Sequence, residues 1–200
     1  VTNITYRFAR KAEAEGVVVI DDPLSIVRCT NKVYLCDLLN RARIRKPETL
    51  IVNKEKKKLI IPRLGLPVVL KQPDSSFSKG VVKVNDEHQL ETELETLLSH
   101  SDFVIAQEYI KTDFDWRIGI IDKKPLFACK YFMAREHWQI YNWTAKKHND
   151  RWGSWQTFAI ENVDPELVKL ASKAASLFGD GFYGVDIKAY NGSYLVIEVN

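Results

Sequence analysis

Near the end of the chain stand two carboxylates and an amide, Asp186, Glu198 and Asn200, within the run DGFYGVDIKAYNGSYLVIEVN at 180–200. The run reads as a hairpin with strands over 183–189 and 194–200 and Asn191-Gly192 as the turn signal. Val185, Ile187, Ala189, Leu195, Ile197 and Val199 form one wholly apolar set and are expected to face a core. Asp186, Lys188, Val196, Glu198 and Asn200 form the other. The apolar residues of the two strands share a face only if the loop holds an odd number of residues, because a one-residue slip turns a whole strand over. The pattern therefore predicts a three-residue loop, Tyr190-Asn191-Gly192, with Gly192 left-handed. Asp186, Glu198 and Asn200 then converge, and such oxygens suit a hard cation such as Mg²⁺ that also takes phosphate oxygens. The same spacing equally describes a solvated polar face on an edge hairpin.

Cations come from earlier in the chain. Thr30 or Asn31 can cap a helix over 32–40 that is expected to bury Tyr34, Leu35, Leu38 and Leu39. Lys32 in its first turn opposes the helix dipole, so it faces either an anion such as phosphate or water. A strand over 67–72 places Lys71 near its end. The loop PDSSFSKG at 73–80 follows, and a strand over 81–84 returns. Backbone N–H groups of this loop up to Gly80, with the hydroxyls of Ser76 and Ser78, are suited to cradling phosphates, although the loop lacks the GxxxxGK[ST] pattern of a P-loop. Asp115 and Arg117 share a strand face by their i, i+2 spacing. Lys130 alternates with apolar neighbours on the next strand. Each of these also reads as a surface charge on an antiparallel sheet.

The elements that must hold these residues follow from periodicity and punctuation. Residues 4–15 read as a helix with Ile4, Phe8 and Ala12 on one face and Gly16 as its stop. A short buried strand over 17–20, ended by Asp21-Asp22-Pro23, reads as the tail of an upstream domain. A strand covers 50–52, and the basic run at 54–58 reads as a solvated turn. Asp86 caps a helix to Ser99 that turns Leu90, Leu94, Leu97 and Leu98 inward, with Gln89 completing a capping box. Strands cover 103–109, 116–121 and 125–133. Residues 137–156 hold four of the five tryptophans and read as a long loop, either lid-like or packed against the body. His137 and His148 lack metal-ligand spacing. Asp164-Pro165-Glu166 opens a helix with Leu167, Leu170, Ala171, Ala174, Leu177 and Phe178 as its apolar stripe.

Two hundred residues suffice for one or two domains. The net charge of +3, from 29 basic and 26 acidic residues, points neither toward nor away from nucleic acid. Three cysteines, Cys29, Cys36 and Cys129, have no CxxC pairing, which fits reduced thiols and a cytoplasmic setting. No apolar run reaches membrane-spanning length, and no signal peptide opens the chain. The start without methionine and the stop on a candidate ligand read as a segment of a longer protein.

Taken in order, these marks resemble the ATP-grasp superfamily and, within it, the RimK-type α-L-glutamate ligases and glutathione synthetases. The resemblance rests on Asn31-Lys32 before a helix, Lys71 before a Ser/Gly loop, Gln-Glu-Tyr-Ile at 107–110, Asp-Trp-Arg at 115–117, Gly-Val-Asp at 184–186 and Glu-Val-Asn at 198–200. It implies an α+β ATP-grasp fold whose two lobes of antiparallel sheet clasp ATP. The corresponding division is 1–28 as the tail of an upstream domain, 29–102 as the small lobe and 103–200 as a carboxyl-terminal lobe truncated at Asn200. It implies that Lys32, Lys71, Ser76, Ser78 and Gly80 meet the phosphates, that Gln107, Glu108, Tyr109 and Ile110 form the adenine hinge, and that Asp115 meets the ribose. Arg117 and Lys130 would face the transferring phosphoryl group, and Asp186, Glu198 and Asn200 would hold Mg²⁺, with Mn²⁺ as a substitute.

The activity implied is an ATP-dependent ligase that joins a carboxylate to an amine through an acyl phosphate, for instance adding glutamate to a peptide or protein acceptor. Expected partners are an amino acid or peptide, a protein acceptor and further copies of the chain, but neither membrane nor nucleic acid. Many relatives carry arginine where this chain has Lys130, and an asparagine and paired glycines where this chain has its tryptophan-rich segment, with Asn142 as the nearest equivalent. Two other readings stand beside the ligase: a nucleotide-binding regulatory module without turnover, and a polyanion-binding protein using the 54–58 run and the tryptophan–lysine loop.

Overall fold

The computed structural model describes residues 2–74 and 80–200. The chain opens with three helices: α1 (Thr2–Ala14), α2 (Pro23–Thr30) and α3 (Lys32–Arg41). α2 was not expected. Asp22-Pro23, read from sequence as a strand terminator, is instead an N-cap followed by proline at N1, and Asp22 Oδ1 accepts from the backbone N–H groups of Leu24 and Ser25 at 3.0 Å. The buried strand expected over 17–20 does not form, and Val18 there is 89% exposed. α1 packs on α2 and buries Ala9, while Phe8 of its expected apolar face remains 76% exposed.

Four short strands make the first sheet: β1 (Thr49–Val52), β2 (Val68–Lys71), β3 (Val81–Val84) and β4 (Val104–Glu108), in the order β1-β4-β2-β3 and antiparallel throughout. α4 (Ile60–Leu64) and α5 (Glu87–Leu98) cover one face, where Ile60, Leu70, Leu94 and Val104 form a core. Asp86 caps α5 by accepting from Gln89 N at 2.8 Å.

The second sheet has five antiparallel strands: β5 (Phe114–Ile121), β6 (Lys124–Phe132), β7 (Trp155–Phe158), β8 (Phe182–Tyr190) and β9 (Ser193–Val199), in the order β7-β6-β5-β8-β9. α6 (Pro165–Ala175) lays Leu167, Ala171 and Ala174 on Ile118, Val185 and Ile187. Leu35 and Leu39 of α3 join this same core. Two elements thus lie elsewhere than a division at 102/103 implies: β4 is an inner strand of the first sheet, and α3 packs with the second.

The β8–β9 hairpin differs from expectation in an instructive way. Its turn has two residues, Asn191 and Gly192, with φ of +48° and +67°, and Ala189 pairs with Tyr194. The parity that the apolar pattern demands is restored inside the strand. Ile187 pairs with Val196 but Asp186 pairs with Glu198, so Ile197 is the extra residue of a β-bulge. Val196 therefore enters the core with Ile187, Val185 and Val199, while Ala189 is exposed and Ile197 is released toward the other face. The odd residue was real, but it sits beside Glu198 rather than in the loop.

Residues 45–48 join the sheets. The Arg45 carbonyl accepts from Val196 N of β9 at 2.9 Å, and the Glu48 carbonyl accepts from Glu108 N of β4 at 2.8 Å.

Gly192 has open space where a Cβ would stand, so Gly192→Ala tests backbone conformation alone. We expect a loss of about 1–2 kcal/mol, the usual cost of a left-handed L-residue, read as a lowered urea midpoint with an unchanged slope.

Candidate functional site

Between the sheets lies a cleft of about 330 Å³. Its floor is the polar face of β5, β8 and β9. Arg117 of β5 grips Asp186 of β8 with two parallel bonds, Nε to Oδ1 and a terminal nitrogen to Oδ2, both 2.7 Å. Asn200 Nδ2 donates to the same Oδ2 at 3.0 Å. Glu198, opposite Asp186 in the ladder, pairs with Lys32 Nζ at 2.9 Å. The Asn31 side chain accepts from Tyr34 N and caps α3, which fixes Lys32 at the cleft.

The first sheet supplies the opposite wall. Lys71 of β2 donates to Gln107 Oε1 at 2.7 Å, and Gln107 in turn donates to Thr49 Oγ1 at 3.0 Å. Val69, Val81, Ile110 and Ile197 add apolar surface near the 107–110 segment, all of which lines the cleft. Residues 138–141 close that end. Trp138 meets the Tyr109 ring edge-on at 6.0 Å between centroids.

Charge density here is high, and it perturbs the ionisable groups. Burial pushes the Lys71 ammonium down to about 8, with Lys32 and Lys188 adding repulsion and Glu198 opposing them. Burial also raises the Asp186 carboxyl, helped by Glu198 and Asp115 and opposed by Arg117. Arg117 is held above its ordinary value because its bonds to Asp186 outweigh its own desolvation.

Of the residues expected from sequence, the structure gathers Lys32, Lys71, Gln107, Glu108, Tyr109, Ile110, Asp115, Arg117, Asp186, Glu198 and Asn200 around this one cleft. Ser76 and Ser78 lie outside the described residues. Gly80 is not part of the lining. With φ of +67° it closes the β2–β3 hairpin, its carbonyl accepting from Gln72 N.

Lys130 requires a correction. It pairs with Trp116, whereas Arg117 pairs with Cys129, so Lys130 points to the face opposite Arg117. There its ammonium lies 4.3 Å from the ring centroid of Phe114 and 4.9 Å from that of Trp116. Phe127, Cys129 and Tyr131 of β6 share the Arg117 face, and the Tyr131 ring stacks under the guanidinium at 5.3 Å. Lys188, not among the site residues expected from sequence, also lines the cleft and bonds Asp115 and Thr112. Its signal was present, since it stands two residues beyond Asp186 on one strand face.

Among the described residues, no cluster of three or more His, Cys, Asp or Glu side chains is placed to hold a metal alone. Asp186, Glu198 and Asn200 form a smaller set of hard oxygen donors, which fits Mg²⁺ when phosphates complete the coordination.

A family model described as the RimK-like ATP-grasp domain matches residues 29–136. The chain belongs to the RimK-like ATP-grasp family. The α-aminoadipate–LysW ligase LysX of Saccharolobus solfataricus is 30% identical over 196 residues, covering 94% of this chain and 67% of that protein. LysX of Sulfurisphaera tokodaii is 30% identical, covering 90% and 62% respectively. A probable α-L-glutamate ligase of Shewanella sp. is 29% identical, covering 96% and 62%. The chain thus spans about three fifths of the length of several curated relatives it matches. Among solved structures, D-alanine–D-alanine ligase from Bacillus anthracis superposes with a TM-score of 0.73 at 23% identity, covering 95% of this chain and 62% of that one. The ATP-grasp ligase PsnB, complexed with a phosphomimetic variant of its minimal precursor, Mg and ADP, gives 0.70 at 23% identity, covering 100% and 58%. These likenesses establish the ATP-grasp fold, in which two antiparallel sheets and their helices face each other across the cleft.

In this ATP-grasp domain the Arg117–Asp186 pair is part of the fold as well as the site. Asp186→Leu leaves a half-buried guanidinium without its partner and is expected to lower stability by about 1–3 kcal/mol. Combined with Arg117→Met, it should cost less than the sum of the two single changes, measured as a double-mutant cycle in urea.

Proposed function

We propose that the protein is an ATP- and Mg²⁺-dependent carboxylate–amine ligase that forms an amide through an acyl phosphate. The observation that carries this reading is the meeting, in one cleft, of cations from both sheets with the adjacent carboxylates Asp186 and Glu198. Phosphoryl transfer needs positioned positive charge more than a protein nucleophile. Lys32 and Lys71 would grip the phosphates, the 107–110 segment would seat the base in its apolar slot, and Arg117 would meet charge developing on the transferring group. Asp186, Glu198 and Asn200 would hold Mg²⁺, which when bound supplies neutralisation of phosphate charge. Mn²⁺ would find the same oxygen donors acceptable.

In the reaction proposed, an oxygen of the substrate carboxylate attacks the γ-phosphorus and the bond to the bridging oxygen breaks, releasing ADP. The amine lone pair then attacks the acyl carbon, phosphate leaves, and the nitrogen gives up a proton. The names of the relatives support an amino acid or peptide as substrate and a protein-borne acceptor, with glutamate as a first choice of amino acid. Free Cys29, Cys36 and Cys129 support a cytoplasmic setting. No helix among the described residues is long and apolar enough to cross a membrane.

The test is a screen of amino acids and peptides for ADP formation with Mg-ATP. We expect release that depends on a carboxylate and an amine together, and none from Lys71→Ala. Nucleotide binding without substrate-dependent release would replace the ligase by a binding module without turnover.

A second measurement uses Lys71. With its value depressed to about 8, it is mostly neutral at about pH 8.5 and charged at about pH 6.5 in the free protein. Phosphates restore the proton. Calorimetry in buffers of different ionisation enthalpy should therefore show proton uptake on Mg-ATP binding at about pH 8.5, little at about pH 6.5, and none in Lys71→Met.

A further inference from the structure

Lys188 and Asp115 on the cleft floor close a hydrogen-bonded triangle with Thr112. Lys188 Nζ donates to Asp115 Oδ1 at 2.5 Å and to Thr112 Oγ1 at 2.7 Å, and Thr112 Oγ1 donates to the same Oδ1 at 3.1 Å. The charged side chains are 14% and 15% exposed. Both partners of Asp115 use one oxygen. Its Oδ2 makes no hydrogen bond among the described residues, so it is left for a ligand.

The position of the triangle is also informative. Thr112 follows the 107–110 segment by two residues. Asp115 and Lys188 stand two residues from Arg117 and Asp186 on their respective strands, on the same face. A nucleotide with its base on the 107–110 segment and its phosphates at Lys71 and Arg117 must lay its sugar here. A bare carboxylate so near a triphosphate would repel it. Paired with Lys188, the site keeps an acceptor for hydroxyl groups at no net charge.

We propose that Lys188 is a positioning residue of the ribose subsite. It fixes Asp115 so that the free oxygen accepts from the 2′- and 3′-hydroxyls, and it cancels the charge that would otherwise face the phosphates. This rests on the nucleotide reading given above. Hydrogen bonds to a fixed carboxylate are charge-assisted, so their loss is worth about tenfold or more in affinity.

The test compares Mg-ATP with its 2′-deoxy and 3′-deoxy analogues by calorimetry. The parent protein is expected to prefer ATP over at least one analogue by about tenfold. Lys188→Met should narrow that ratio below about threefold, and Lys188→Arg should keep most of it, since it retains the charge. A general loss of structure would weaken all three nucleotides alike and would not change the ratio. A ratio in Lys188→Met equal to that of the parent overturns the proposal, as does a parent that does not distinguish the sugars. Should Lys188→Met fail to give a cooperative melt, Thr112→Val, which removes one anchor and keeps the ion pair, must narrow the ratio in part; no narrowing overturns the proposal. A parent that binds none of the three overturns the nucleotide reading itself, and the ribose subsite with it.

Discussion

Two like charges placed side by side set the terms for the rest of the molecule. Asp186 and Glu198 face each other across β8 and β9, in a cleft where water screens them poorly. Such a pair persists only when opposite charge is delivered to it. Arg117 arrives from the neighbouring strand, and Lys32 arrives from the first turn of α3. α3 holds that place because Asn31 caps it and because Leu35 and Leu39 lock it into the core beneath the second sheet. A cation at a helix N-terminus is locally unfavourable, and Glu198 offsets this. The acidic pair thus explains why a helix near the start of the chain belongs, by packing, to the strands at its end.

The first sheet contributes in the opposite manner. Its lysine is held by a neutral amide, with Gln107 bridging Lys71 to Thr49. Among the described residues no carboxylate forms an ion pair with Lys71, and burial makes its ammonium easy to discharge despite the more distant charges of Glu198 and Asp115. The cleft therefore has one wall whose charges are already matched and one whose charge is not. A polyanion carrying its own divalent cation would complement both: phosphate oxygens for the lysines, metal for the carboxylates.

Much of this was legible in the sequence, and the failures have physical causes. Elements with strong punctuation were readable, such as the Asp86 and Asp164 caps and the alternation through β8. Asp22-Pro23 carried the same signal as Asp164-Pro165 and was read as a stop because the apolar run before it looked like a strand. Val17, Val18 and Ile20 of that run are exposed, so its apolarity does not mark a buried strand within the described residues. The hairpin parity was sound, but alternation alone cannot say whether an extra residue lies in a turn or a bulge. Lys130 was assigned by charge and order along the chain, and the register with β5 decides its face instead. Trp138 and its neighbours could not be placed from sequence, because a loop that packs across two sheets has no period to read. Lys188 had the right spacing but was overlooked, since a lysine beside two acids looks like a solvated surface charge until its partners are known.

The short run at 45–48 touches β9 through the Arg45 carbonyl and β4 through the Glu48 carbonyl, so the two sheets are pinned together along that margin. Any swing of one sheet against the other would flex this seam together with the 109–113 connection that leads from β4 into β5. Tyr109 follows Glu108 directly, so its contact with Trp138 stands beside that joint rather than across the cleft from it. The aromatic end of the cleft would accordingly move little in such a swing.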